Sequence, residues 1–187
     1  MGLLKDKPNL DHFRLRIDGD NSDSRRICWQ FLKGSTRFTD KAGFKKKGCD
    51  GMFGEFRAAF MPTNNGFIVR DPEILINRED FRGKKKFIGL IQHHEVVEML
   101  EVGLRMKDGK GFVEDEDGYV ENSGCHGVAL NKEFDYAFEQ GIAEEYLKFL
   151  EGKAVEIEDI QMRKNFIREN NHAFNKAKRR FLQRKRG

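Results

Sequence analysis

Hydrophobic and polar residues alternate near the start of the chain, with the period of two that is typical of a half-buried β-strand. The alternation covers residues 12–17, and the Asp- and Asn-rich segment 18–21 that follows is typical of a turn. The first predicted element is therefore a strand.

A β-hairpin is predicted further along the chain. Residues 55–61 and 67–70 flank the segment Pro-Thr-Asn-Asn-Gly, whose Asn-Gly pair tolerates the positive φ angles of a tight turn. A third strand is predicted over 73–77, after Pro72. The glycine- and lysine-rich segment 41–54, which precedes the hairpin, is predicted to be a loop.

The period changes from strand to helix at about residue 84. A first helix is predicted over residues 84–100, and Gly103 is expected to end it as a left-handed residue. Residues 107–123 form a polar, acidic segment and are predicted to be a loop. Two more helices are predicted over 127–140 and 143–150.

Charge is distributed unevenly and predicts a basic C-terminal helix. The chain carries +4 overall, but residues 161–187 hold ten Lys and Arg and one acid, whereas residues 1–160 carry a net negative charge. Apolar residues recur every seventh position, which on a helix forms one narrow stripe that must pack on the body or on a second subunit: Ile160, Ile167, Phe174 and Phe181. The basic face either binds a nucleic acid or another polyanion or is simply solvated.

Composition predicts a folded cytoplasmic protein without a membrane segment. The 187 residues are 38% hydrophobic, and none of the apolar runs approaches the ~20 residues that cross a bilayer. The first eight residues lack the apolar stretch of a signal peptide. Cys28, Cys49 and Cys125 are odd in number and lack CxxC spacing, so they are expected to be reduced thiols.

One face of the first predicted helix mixes apolar and ionisable residues. On a helical wheel, the face contains Phe87, Leu90, Ile91, Val97 and Val102 together with His94, Glu98 and Glu101. Buried carboxylates cost several kcal/mol by order of magnitude unless they are paired, neutralised or bound to a cation. The simple explanation is an amphipathic helix whose glutamates bond to lysines or arginines from elsewhere, and the alternative is a metal site.

The spacing within this helix matches a metal-binding pattern. His94 and Glu98 are four residues apart, so their side chains point to one place over one helical turn. The segment from His94 to Glu98 has the form HExxE, which is the metalloprotease motif HExxH with a carboxylate as the second ligand. Glu95 lies about 100° further round the helix, where it could act as general base toward an attacking water.

Two residues of the next helix extend this candidate site. His126 stands at the head of that helix, and Glu133 follows two turns later on the same face. His94, Glu98 and His126 would give three ligands and an open position, as in a catalytic zinc site. Glu133 is predicted as a fourth metal ligand or as the acceptor that orients one of the histidines, and Glu101 competes for either role.

At these residues the sequence resembles small, mostly uncharacterised zincin-like proteins of bacteria and their mobile elements, which carry HExxE followed by HxxAxxxE. The second part is matched by His126, Ala129 and Glu133. The resemblance covers roughly residues 55–150 and implies a minimal zincin: a small sheet, then the active-site helix, then a helix with the last ligand. It implies zinc held by His94, Glu98 and His126, with Glu95 as catalytic acid and base. The acidic insert 107–123, the N-terminal extension and the basic tail depart from the family pattern.

The sequence therefore predicts an α+β, zincin-like fold that binds Zn²⁺. Three regions are expected: a β-containing extension over 1–54 packed on the core, a metal-binding core over 55–157, and a basic helix or arm over 158–187. The predicted function is a zinc-dependent hydrolase of the metallopeptidase type, acting on a peptide or protein. The alternative is a phage or mobile-element protein that binds nucleic acid or serves in an assembly, with a structural or vestigial metal site.

Overall fold

The computed structural model describes residues 14–18, 33–46, 53–107, 113–114, 120–121 and 124–186 of the chain. In this part of the chain the strands are β1 (Arg14–Asp18), β2 (Thr36–Thr39), β3 (Gly54–Thr63), β4 (Gly66–Asn77), β5 (Val113–Glu114) and β6 (Val120–Glu121). The α-helices are α1 (Lys41–Lys46), α2 (Ile88–Lys107), α3 (Cys125–Glu139), α4 (Ala143–Ala154) and α5 (Ile160–Arg184). Short 3₁₀ turns at Arg78–Phe81 and Lys85–Phe87 lead from β4 into α2. The predicted α+β class is confirmed.

Strand β4 is the centre of the main sheet. β3 pairs antiparallel with it along one edge, as the predicted hairpin requires. The turn is formed by Asn64 and Asn65 without a positive φ angle, and not by the predicted Asn-Gly pair, because Gly66 already pairs with Thr63 as the first residue of β4. On the other edge, β1 pairs antiparallel with the first half of β4 and β2 pairs parallel with the second half. β5 and β6 form a separate two-stranded ladder inside the segment predicted to be a loop.

The strand predicted over 73–77 is not a separate element, because β4 continues through Pro72. Asp71 takes the left-handed conformation with φ 49°, and the register of β3 shifts opposite it, between Arg57 and Ala59. Between the pairs on either side of the shift, β4 has two residues, Asp71 and Pro72, opposite the single Ala58 of β3. The extra residue is therefore a bulge on β4, and the ladder continues past it. This is why a proline that ends the first apolar run does not end the strand.

The segment predicted to be a loop over 41–54 begins with a short helix. The Asp40 carboxylate accepts a hydrogen bond from the Gly43 amide at 2.7 Å, as a capping residue does. Phe44 is buried against Leu75 of the sheet. The cap and this single apolar contact make α1 a helix in a stretch whose composition is that of a loop. The turn predicted after β1 lies outside the described residues, as do Cys28 and Cys49.

Helix α2 lies between the sheet and α3 and supplies buried residues to both. Val96 and Met99, which lie off the single face predicted from the sequence, are fully buried. Gly103 does not end the helix, which continues to Lys107. A Cβ at Gly103 would lie 2.3 to 2.5 Å from three ring carbons of the buried Phe67. The glycine is therefore needed for the close approach of helix and sheet.

Replacing Gly103 with Ala is expected to destabilise the protein by about 2 kcal/mol, because overpacking costs more than the gain in helix propensity. Thermal denaturation should show a Tm lower by about 5 °C. Gly89→Ala on the same helix is the control, since a Cβ there would meet nothing within 4 Å. An equal Tm for Gly103→Ala and the control would contradict the steric role.

Helix α5 packs along α3 and α4, but the predicted apolar stripe is only half buried. Phe174 and Phe181 contact the core, whereas Ile160 and Ile167 are exposed. A seven-residue repeat drifts by about 20° per repeat on a straight helix, so the early members rotate away from the contact face. That face is completed by residues off the stripe: Phe166, Asn170, Ala173 and Ala177.

Hydrophobic residues of the sheet and of all four long helices meet in one main core. Aromatic rings pack together at one end of it: Phe53 just before β3, Phe87 in the 3₁₀ turn before α2, and Phe149 of α4. In the described part of the chain, no helix combines the length and the apolar composition needed to span a bilayer. The predicted divisions at residues 54 and 157 stay predictions. β1 and β2, which precede residue 54, pair directly with β4.

Candidate metal centre

Three side chains from α2 and α3 converge at the surface of the core. His94 Nε2 lies 3.1 Å from Glu98 Oε2 and 3.1 Å from His126 Nδ1. His126 Nδ1 lies 3.5 Å from Glu98 Oε2. The three atoms thus form a nearly equilateral triangle. The structure brings together the three residues that the sequence predicted as a ligand set.

The backbone explains how each member of the triangle is positioned. His94 and Glu98 share one face of α2 because they are four residues apart. His126 is the second residue of α3, and the preceding Gly124 has φ 103°, which lets the chain turn sharply into the helix. A Cβ on Gly124 would lie 2.6 Å from Arg105 of α2. Gly124 therefore starts α3 directly against α2.

The triangle could hold a metal ion. Nitrogen and oxygen ligands about 2.0–2.1 Å from a tetrahedral metal stand about 3.3 Å from one another, close to all three distances found. Two imidazoles and one carboxylate are ligands suited to zinc and similar divalent ions. His94 is buried, whereas the His126 side chain is 53% exposed, so the group is open on the His126 side.

Behind the triangle, Glu133 and Tyr146 hold His94 in place. Glu133 Oε2 accepts a hydrogen bond from His94 Nδ1 at 2.7 Å, and the Tyr146 hydroxyl donates to Glu133 Oε1. Nδ1 therefore carries the hydrogen, and Nε2 is left to face Glu98 and His126. Of the two roles predicted for Glu133, this contact matches the orienting acceptor, because its oxygen meets the nitrogen that points away from the triangle.

Glu95 is buried beside the triangle, between α2 and the start of β3. A Cβ at Gly54 would lie 2.9 Å from its Oε1 atom, so the glycine leaves the space that the carboxylate fills. Burial raises the pKa of Glu95 to about 8; the charge of His94 opposes this, and nearby carboxylates reinforce it. Glu95 therefore exchanges a proton near neutral pH.

The charges of His94 and Glu98 stabilise each other in the absence of a metal. Burial disfavours the charged form of His94, but the Glu133 charge and the hydrogen bonds of Glu133 and Glu98 raise its pKa well above the usual value. Burial also disfavours charged Glu98, yet hydrogen bonds from His126 and His94 lower its pKa to about 2. A metal ion would replace the proton that His94 and Glu98 share.

Other residues considered from the sequence lie outside the triangle. Among the described residues, the group that could hold a metal includes neither Glu101 nor Glu133. His93 stacks on Tyr136 with ring centroids 4.9 Å apart, and burial lowers its pKa to about 3. Cys125 is fully buried, as expected for a small apolar residue.

Sequence reasoning missed Tyr146 and Gly54. Tyr146 follows Glu133 by 13 residues and reaches it only because α4 folds back against α3. Gly54 lies near Glu95 only through packing of β3 against α2. Neither contact corresponds to a fixed spacing along the chain, so neither leaves a signal in the residue pattern.

No family model, curated protein or solved structure matches the chain. What the protein does is therefore inferred from the geometry of the triangle and of the carboxylates around it.

Proposed function

We propose that the protein is a zinc-dependent hydrolase of the metallopeptidase type with a zincin-like arrangement of its active-site helix. The observation that carries the proposal is the triangle of His94, Glu98 and His126, whose edges of 3.1 to 3.5 Å match those of a tetrahedral zinc site. Three protein ligands leave one coordination position for a water or a substrate, as catalytic zinc sites do. The open His126 side supports the same role.

The residues of the site have three separate roles in the proposed hydrolysis: holding the metal, transferring a proton and orienting a ligand. His94, Glu98 and His126 would hold zinc, which lowers the pKa of a water molecule and polarises the carbonyl group that the water attacks. Glu95, buried beside the triangle, accepts the proton of the attacking water and delivers it to the leaving amine. Glu133 and Tyr146 keep His94 in one tautomer and one orientation.

The structural or vestigial metal site of the alternative function would need a fourth protein ligand or no metal at all. Among the described residues, only three converge. Burying the Glu95 carboxyl group lowers the stability of the fold. A purely structural metal site does not explain this loss, because an apolar residue could replace a carboxylate that neither binds the metal nor moves a proton. Both observations favour the hydrolase.

Hydrolysis is tested directly with a broad peptide library and the full-length, zinc-loaded protein. New peptide termini, identified by mass spectrometry, are expected with the loaded protein, should disappear after chelation and should return when zinc is restored. Full zinc occupancy without any cleavage would refute the peptidase assignment while leaving the metal site intact. Cleavage that survives complete removal of the metal would point to a contaminating protease.

The orienting role of Glu133 has its own expected result. Glu133→Gln keeps the shape of the side chain but weakens the hold on His94 Nδ1, so zinc affinity should fall about 10–100-fold. Competition with a chromophoric chelator measures the change. Tyr146→Phe removes only the hydroxyl group that donates to Glu133 and should cause a smaller loss. If Glu133→Gln abolished binding altogether, Glu133 would be a ligand.

A further inference from the structure

The outward face of α5 carries basic side chains that the candidate metal centre does not use. Four of them are exposed, and at 100° per residue they fall within an arc of about 120°. We call these residues the outer row: Lys164, Arg168, Lys176 and Arg179. The buried residues of the same helix, among them Phe174 and Ala177, lie on the opposite side.

The outer row differs from the other basic residues of α5 in its contacts. Arg180 and Arg184 pair with Asp135 of α3 at 3.0 and 3.5 Å. Lys178 and Lys185 lie over phenylalanine rings of their own helix. Among the residues that the structure describes, no member of the outer row takes part in a salt bridge. The positive charge of the outer row is therefore available to a partner.

The dimensions of the outer row fit a regular polyanion. Its two ends, Lys164 and Arg179, are 15 positions apart along the helix, which is about 22 Å at 1.5 Å per residue. One strand of a nucleic-acid duplex presents about six phosphates over that length, at about 3.4 Å each. The only acid of the helix, Glu169, lies about 20° beyond the edge of the arc. The net negative charge of residues 1–160 would direct an approaching polyanion toward α5.

The rest of the outward arc favours a nucleic acid over a lipid surface. A helix that lies on a membrane inserts large apolar side chains, but in α5 Phe174 and Phe181 pack into the protein core. Within the arc, Leu182 is the one large apolar residue of the described helix, and the exposed Ile160, Met162 and Ile167 lie about 40–60° outside its edges. The remaining positions are polar: Gln161, Asn165, His172, Asn175 and Gln183. Gln161 and Asn175 each donate one hydrogen bond within the helix, and amide and imidazole N–H groups of this kind are common donors to phosphate oxygens.

We infer that the outer row of α5 binds the phosphodiester backbone of a nucleic acid without sequence preference. The binding is electrostatic, so it weakens as salt rises and counterions compete for the phosphates. It involves a surface separate from the metal centre and does not depend on the hydrolase proposal.

Fluorescence anisotropy with a labelled 24-base-pair DNA duplex and the full chain tests this inference. Changing all four residues of the outer row to Gln should lower affinity at 100 mM KCl at least about tenfold. The slope of log K against log salt should become shallower by about 3 to 4, since each lost phosphate contact contributes about 0.9. Circular dichroism checks that the variant stays folded, as expected for exposed side chains.

The matched control removes two arginines and two lysines elsewhere, by changing Arg78, Arg82, Lys85 and Lys148 to Gln. This variant has the same net charge as the outer-row variant and should keep the wild-type affinity within about twofold and the wild-type slope. Glu169→Gln removes the acid at the edge of the arc and should tighten binding about twofold or more. Single-stranded DNA and duplex RNA are the further arms that distinguish which backbone is preferred.

Three results would overturn the inference. Equal losses in the control and the outer-row variant would mean that binding follows net charge rather than this face. Tighter binding to vesicles containing phosphatidylserine than to either nucleic acid would assign the face to a membrane. Undetectable binding of wild type to every nucleic acid at 50 mM KCl would exclude the outer row as a nucleic-acid-binding surface. Chelation of metal should change none of the binding results, which separates this test from that of the hydrolase.

Discussion

Glu95→Gln is expected to lower the rate of peptide hydrolysis by about 10²–10⁴-fold, because it removes the group that accepts and returns the proton. The amide fills the same space beside Gly54 and cannot take up a proton at neutral pH. Zinc content should stay at about one equivalent, since Glu95 lies outside the triangle of ligand atoms. The measurements are the rate of peptide cleavage and elemental analysis of the same sample.

Glu101→Gln is the matched control for this substitution. It makes the same chemical change on the same helix, at a residue outside the triangle, and should leave the rate within about twofold. A Glu95→Gln variant that still cleaves at the wild-type rate would remove Glu95 from the mechanism. Loss of zinc from that variant would make Glu95 a ligand instead of a base.

The stability of the metal-free protein gives Glu95→Gln a second signature. Burial raises the pKa of Glu95 from 4.5 to about 8, so the folded state holds the proton more tightly than the unfolded state. The stability from this protonation is fully present below pH 4.5 and is lost as pH rises toward 8. The Glu95→Gln variant does not lose this stability. Its Tm should therefore exceed that of wild type by an amount that grows between pH 4.5 and about 8 and then levels off.

His94→Ala is expected to reduce bound zinc from about one equivalent to below about a tenth, because His94 is the buried ligand on which the triangle is built. Zinc at a hundred times its Kd should stabilise wild type by about 2.7 kcal/mol, or about 5–10 °C in Tm, and should not stabilise the variant. Affinity in wild type should fall as pH is lowered, because His94, whose pKa is raised, must lose a proton to bind the metal.

His172→Ala serves as the control for the loss of a histidine. His172 lies on the exposed side of α5, away from the triangle, so its replacement should preserve both zinc content and the zinc-dependent rise in Tm. Wild-type protein purified without chelator that holds well under half an equivalent, with His94→Ala holding the same amount, would refute the metal site.

Local periodicity was enough to predict most secondary structure. The alternation near residue 14, the hairpin of β3 and β4, and the helical periods of α2 to α5 all correspond to elements of the structure. These signals arise from the backbone geometry of each segment and from the one face that it must bury. They need no knowledge of what lies across the interface.

Two of the errors have the opposite origin, because each depends on a contact distant in sequence. Gly103 was predicted to end a helix but instead admits the ring of Phe67, 36 positions earlier in the chain. The segment from Lys41 to Lys46 was predicted to be a loop but is a helix, anchored by Phe44 on Leu75. The glycine and lysine content of a segment indicates its local backbone preference. It does not indicate which distant residues the segment packs against in the folded protein.

The candidate site shows the same division. Spacing alone places His94 and Glu98 on one turn of a helix, and the pattern of charges alone marks α5 as a basic helix. Only the packing of α3 and α4 on α2 brings His126 within 3.1 Å of His94 and directs Glu133 to the opposite nitrogen of that ring. Periodicity is a property of one helix, whereas ligand geometry and the roles of neighbouring carboxylates depend on the relative positions of several helices, which tertiary packing sets.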